Sequence, residues 1–169
     1  MNPAVRMMIL VIAAVLVTSC SDTANRPEGT AMKALETSQD SQQLALLIQV
    51  PGSPRSVRWA KIGPQKGSPL ASGDFSLLAV FEYGESERSE LLKRLGPPVD
   101  NEPVMITGAE AKALFSDDVV KGFHKLEGDR LEVSGQLLSA EPFFKSPLLQ
   151  GKVVVVAGTS LLLVSLFTT

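Results

Sequence analysis

His124 is the only histidine in this chain of 169 residues and Cys20 the only cysteine, so nucleophilic and metal chemistry have few places to start. A serine or cysteine triad needs a nucleophile beside a histidine that is itself oriented by a carboxylate. Serines and acids are plentiful, but no local signature selects one of them. The stretch "AGTSL", residues 157–161, lacks the second glycine of a G-x-S-x-G elbow, and Ser160 falls where a hairpin turn is expected. Asp117 and Asp118 are adjacent, without the alternating spacing of a calcium loop, and suit the first turn of a helix begun by Ser116. "GPQKGS", residues 63–68, has too few residues between its glycines for a phosphate loop, and its lysine precedes the second glycine. His124 lies beside a turn and is expected to be structural. No catalytic residue, metal or cofactor is assigned from these patterns.

Charge distribution points to binding instead. No acid occurs between Asp40 and Asp74, and that stretch carries Arg55, Arg58, Lys61 and Lys66. Trp59 sits among them, and tryptophan and arginine are over-represented at the contact positions that dominate binding energy. Basic side chains close to an anionic membrane gain up to ~1 kcal/mol each. These five residues form the expected contact surface. The competing expectation is a solvated loop with Trp59 turned into the core.

The elements that would position such a surface are short. "MKALE", residues 32–36, spaces Met32 and Leu35 for a brief helix, and Leu44–Val50 reads as a buried strand. "SVRWAKI" alternates, with Val57 and Trp59 on one face and Arg58 and Ala60 on the other. Asp74–Tyr83 predicts a strand. "SERSELLKRLG" predicts a helix capped by Ser86 and stopped by Gly96 and Pro97. Pro103–Ile106 predicts a short strand, and Thr107 with Glu110 has the spacing of a capping box opening a helix to about Phe115. Gly128-Asp129 suits a two-residue type II′ turn between two strands. The last 17 residues, "VVVVAGTSLLLVSLFTT", carry no charge. Their apolar stretch is short for a span of about 20 residues, and consecutive valines favour extended backbone. A core hairpin turning at Gly158-Thr159 is expected there, rather than a membrane segment.

At the start of the chain, "MNPAVR" places Arg6 before the apolar run "MMILVIAAVLV", and Thr18, Ser19 and Cys20 follow. A positive end, a short apolar core and small residues before a cut make the plan of a secretory signal. Val17, Thr18, Ser19 and Cys20 resemble the lipobox of bacterial lipoproteins, with Thr18 standing where alanine or serine is usual. The resemblance covers residues 1–20 only. It implies cleavage before Cys20 by lipoprotein signal peptidase and a diacylglycerol on the thiol, with further acylation of the new amino terminus in many Gram-negative bacteria. One acyl chain binds a membrane marginally, whereas two or more hold a soluble domain durably. In the enterobacterial version of the family an aspartate after the cysteine retains the protein in the inner membrane. Ser21 stands here, which implies the outer membrane, facing the periplasm. No family resemblance extends to residues 31–169.

Composition limits the remainder. With 16 basic and 18 acidic residues the net charge is −2, which offers no electrostatic footprint for nucleic acid. A lone cysteine excludes an intramolecular disulfide. After the signal (1–19) and a polar tether (20–30), a single domain over 31–169, ~140 residues, is long enough to bury a core without metal or disulfide. Short, turn-bounded strands without recurring crossover helices predict an α+β fold: an antiparallel sheet of five to seven strands with two or three short helices on one face. The leading functional expectation is a lipid-anchored, non-enzymatic envelope protein that binds a protein or an anionic envelope component. Two further readings stay open: an inhibitor or immunity-type lipoprotein against a hydrolase or toxin, and an enzyme whose site is scattered in sequence.

Overall fold

A computed structural model describes residues 34–63, 75–99 and 102–168. Val17, Thr18, Ser19, Cys20, Met32 and Lys66 lie outside the described residues. In chain order the elements are β1 (Ala34–Ser38), α1 (Ser41–Leu47), β2 (Ser56–Gly63), β3 (Ser76–Glu82), α2 (Glu85–Leu95), β4 (Met105–Thr107), α3 (Gly108–Leu114), α4 (Asp117–Val120), β5 (His124–Lys125), β6 (Arg130–Glu132), β7 (Gly135–Ser139), a 3-10 turn (Glu141–Phe143), β8 (Gln150–Val156) and β9 (Leu161–Phe167).

The uncharged C-terminal stretch lies inside the main sheet, away from both of its edges. A six-stranded sheet runs β1-β2-β3-β9-β8-β7, antiparallel throughout, and β9 pairs with β3 from Ser76↔Phe167 to Glu82↔Leu161. On its other side β9 pairs with β8, through a turn in which Gly158 adopts φ 70°, a conformation glycine takes without steric cost. Leu162, Val164 and Leu166 face one core, together with Leu77, Ala79, Phe81 and Trp59. Leu163 faces a second core, with Leu78, Val80 and Val154. Strands buried on both faces read as continuous apolar runs rather than alternating ones. The charge-free sequence therefore follows from its central position. Among the described residues no helix is long and apolar enough to cross a membrane.

Different elements cover the two faces. Leu44 and Ile48 from α1 and its end, Leu91 and Leu95 of α2, and Phe143 close the first core. Over the second lie Ala111 and Leu114 of α3, and Ile106 and Leu131 of a three-stranded sheet ordered β4-β6-β5. Phe115 meets Phe123 edge-on there, with ring centroids 5.1 Å apart. The α+β architecture and the six-stranded antiparallel sheet agree with the reading of the sequence. Helices occupy both faces of that sheet, not one, and the small second sheet shares in covering it.

Several local expectations are corrected. Residues 44–47 belong to helix α1, not to a strand. Asp40 caps that helix, accepting hydrogen bonds from the Gln42 and Gln43 amides at 2.8 and 3.0 Å, and Leu46 is 75% exposed. Conversely, Ala34–Ser38 is a strand despite helix-favouring residues, because pairing with β2 from Ala34↔Gly63 to Ser38↔Trp59 satisfies its backbone. Gly84, not Ser86, is the N-cap of α2. The β5–β6 hairpin has one more loop residue than a type II′ turn. The Leu126 amide donates to the Arg130 carbonyl at 3.0 Å, leaving Glu127, Gly128 and Asp129 in the loop.

The capping box at α3 forms as expected. The Glu110 amide donates to Thr107 Oγ1 at 3.2 Å, and the Thr107 amide donates to Glu110 Oε2 at 2.7 Å. Thr107→Ala should therefore lower stability by about 1 kcal/mol. The expected signature in urea denaturation is a lowered midpoint with an unchanged slope.

Candidate functional site

Strand alternation separates the residues of the basic segment. Trp59 is 7% exposed and packs in the first core, where its indole N–H donates to the Asp40 carbonyl at 3.0 Å and ties β2 to the start of α1. Arg58 projects to the opposite face, exposed, beside a recess of about 120 Å³ shared with Ser56, Glu82 and Phe115. Lys61 returns to the Trp59 face, with its ammonium 4.6 Å from the centroid of the Phe75 ring. Arg55 is exposed before β2; its amide donates to the Glu82 carbonyl at 2.7 Å and its guanidinium lies beside Gly84. Arg58 and Trp59 therefore do not share a contact surface. Trp59 is structural, as the competing expectation had it.

A different group of cations does converge. A cleft of about 330 Å³ lies between α3, α4 and the β5–β6 hairpin. Lys112 from α3, Lys125 from β5 and Arg130 from β6 line it, with apolar Val120, Leu126 and Leu131. All three cationic residues are exposed, while Leu131 is buried and Leu126 half-buried. Among the described residues none of the three cations forms an ion pair. Glu110, two residues before Lys112, is held by the Thr107 amide in the capping box. Arg130 Nη2 donates to Met105 Sδ at 2.9 Å. The ion pair found among the described residues, Lys121 to Asp118 at 2.7 Å, involves no residue of the cleft.

One carboxylate, that of Asp129, lines the cleft. Its position depends on Gly108: a Cβ at residue 108 would collide with the Asp129 carboxyl group, and the Gly108 amide donates to the Asp129 carbonyl at 2.9 Å. Three cations facing a single carboxylate leave the lining net positive over an apolar base. The arrangement suits a ligand with an anionic end and an apolar body. Sequence inspection missed it because Lys112, Lys125 and Arg130 come from three elements, each with acids nearby in sequence. Only the loop signal at Gly128-Asp129 marked the region.

His124 is not among the residues that line this cleft, although its neighbour Lys125 is. It is exposed on an edge strand, opposite Glu132 on β6. Ser160 is exposed beyond the Gly158-Thr159 turn, and the two are not brought together in any recess described here. A second recess, about 130 Å³, lies by Pro51, Tyr83, Glu87 and Arg94. There the buried Tyr83 hydroxyl donates to the Pro51 carbonyl at 2.9 Å. Burial chiefly, and the Glu87 carboxylate secondarily, raise the phenol well above its ordinary range, with Arg94 opposing them.

No protein-family model matches this chain, and neither does any curated protein sequence or solved structure.

Two expectations follow from these placements. Trp59→Ala should cost about 3–5 kcal/mol, as large-to-small changes in a core do. Arg58→Ala should stay within about 0.5 kcal/mol, and paired urea titrations would separate the two. Tyr83, the only tyrosine, also gives a clean optical probe. Its folded-state pKa lies above the unfolded value of about 10. The stability it contributes is thus fully present below that pH and is lost as pH rises through the folded value. Phenolate absorbance should appear together with alkaline unfolding, and Tyr83→Phe should be less sensitive to alkali than wild type.

Proposed function

We propose that this chain is a lipid-anchored bacterial envelope protein, held through acylated Cys20 and acting by binding a partner or envelope component in the periplasm. The observation that carries the reading is the coincidence of Val17-Thr18-Ser19-Cys20 with the end of a short apolar run that follows Arg6. From Cys20 to Ala34 the backbone reaches at most about 50 Å when fully extended, so an anchor at Cys20 would keep the domain close to the bilayer. The cationic cleft is the surface offered for binding. Ser21 after the cysteine favours the outer membrane.

Intact mass and membrane fractionation of the native protein, beside Cys20→Ala, test the anchor. The expected mature protein starts at Cys20, carries acyl chains and sediments with outer membrane, while Cys20→Ala accumulates without lipid. An unmodified wild-type protein in the soluble fraction would overturn the proposal.

A further inference from the structure

We infer that the cleft between α3, α4 and the β5–β6 hairpin is a binding site for a small amphipathic anion: a carboxylate or phosphate head joined to a compact apolar body. The inference deepens the binding half of the proposed function and rests on it, supplying the chemistry of the ligand. It does not depend on what Cys20 carries.

Size, charge and lining each narrow the ligand. A volume of about 330 Å³ falls at the lower end of small-molecule sites, which occupy roughly 300–1,000 Å³. It is therefore suited to a small ligand and too small for a folded partner's element. Lys112, Lys125 and Arg130 come from three separate elements, so their convergence is set by the tertiary structure and not by a run of charge along one helix face. None of them forms an ion pair with a carboxylate among the described residues. Among the residues that line the cleft, Asp129 is one carboxylate against three cations. An anionic head would gain charge-assisted hydrogen bonds from the lysine ammoniums and the guanidinium. The apolar body would cover Leu126 and the accessible part of Val120, both of which stay half-buried among the described residues. A neutral ligand would leave the cations unused. A bare inorganic ion would leave the apolar wall wet.

The test uses the full chain in phosphatidylcholine nanodiscs, titrated calorimetrically with 4-phenylbutyrate, phenyl phosphate and the neutral 4-phenylbutanamide. Saturable binding of one or both anions is expected at millimolar concentration or below, with the amide at least about tenfold weaker. The difference corresponds to the loss of one hydrogen bond to a charged group. Whichever anion binds more tightly identifies the head group. Lys125→Gln combined with Arg130→Gln should weaken anion binding by about tenfold or more, with thermal unfolding unchanged because both side chains are exposed. Lys145→Gln, whose ammonium is engaged with the Ala45 carbonyl at 2.7 Å away from the cleft, should leave affinity unchanged. Equal affinity for the amide, an unaffected double variant or an absence of saturation would each overturn the inference. Such a failure would leave the Cys20 fractionation result standing, and a failure of anchoring would leave the calorimetry standing.

Discussion

Everything in the described fold depends on the pairing of β9 with a strand on each side while both of its faces are buried. Leu162, Leu163, Val164 and Leu166 have no measurable exposure, and neither do their neighbours Leu77, Phe81, Val153 and Val154. At roughly 1.5–3 kcal/mol for each large apolar side chain removed from water, this hairpin and β3 supply much of the drive for collapse. The backbone demands are met at the same time, because each buried amide and carbonyl of β9 faces a partner on β3 or β8. Chain order makes this consequential. Strands β8 and β9 come after β3 and β7 in the chain yet fill the centre between them, so the main sheet stays divided until this hairpin is in place.

Two separate cores follow from a sheet covered on both sides, and they divide the labour of the molecule. The first is closed by α1, α2 and the 3-10 turn, and Trp59 and Tyr83 each spend a polar group on fixing a loop or a cap to it. The second is closed by short elements, α3 and the three-stranded sheet, that cannot bury all of their own surface. Val120 and Leu126 are left half-buried there, beside three cations. A cleft forms where covering elements are too short to meet. The capping box at Thr107 and the close approach of Asp129 to Gly108 hold its walls in place.

The basic segment shows how a charge pattern in sequence can mislead about a surface. Four cations without an intervening acid suggested one patch, yet strand β2 sends Arg58 and Lys61 to opposite faces and turns Trp59 inward. The cleft cations are the converse. Each has acids close by in sequence, and they become a cluster only when α3 packs beside the β5–β6 hairpin.

What the sequence determined by itself is what local physics decides. The capping box, the α2 stop at Gly96, the alternation of β2, the turn at Gly158 and the antiparallel α+β class all follow from short-range rules, and each is found in the fold. The signal-like run ending at Cys20 is legible for the same reason, as a pattern read along the chain. Tertiary structure alone decided the state of the ambiguous segments. Ala34–Ser38 became a strand because β2 offered an edge, and in Ser41–Leu47, whose Asp40 cap is a local signal, it was packing that set Leu44 and Ile48 inward and left Leu46 outside. It alone also decided the direction of Trp59 and the meeting of Lys112, Lys125 and Arg130. Those outcomes depend on which distant backbone arrives alongside, and no window of neighbouring residues carries that information.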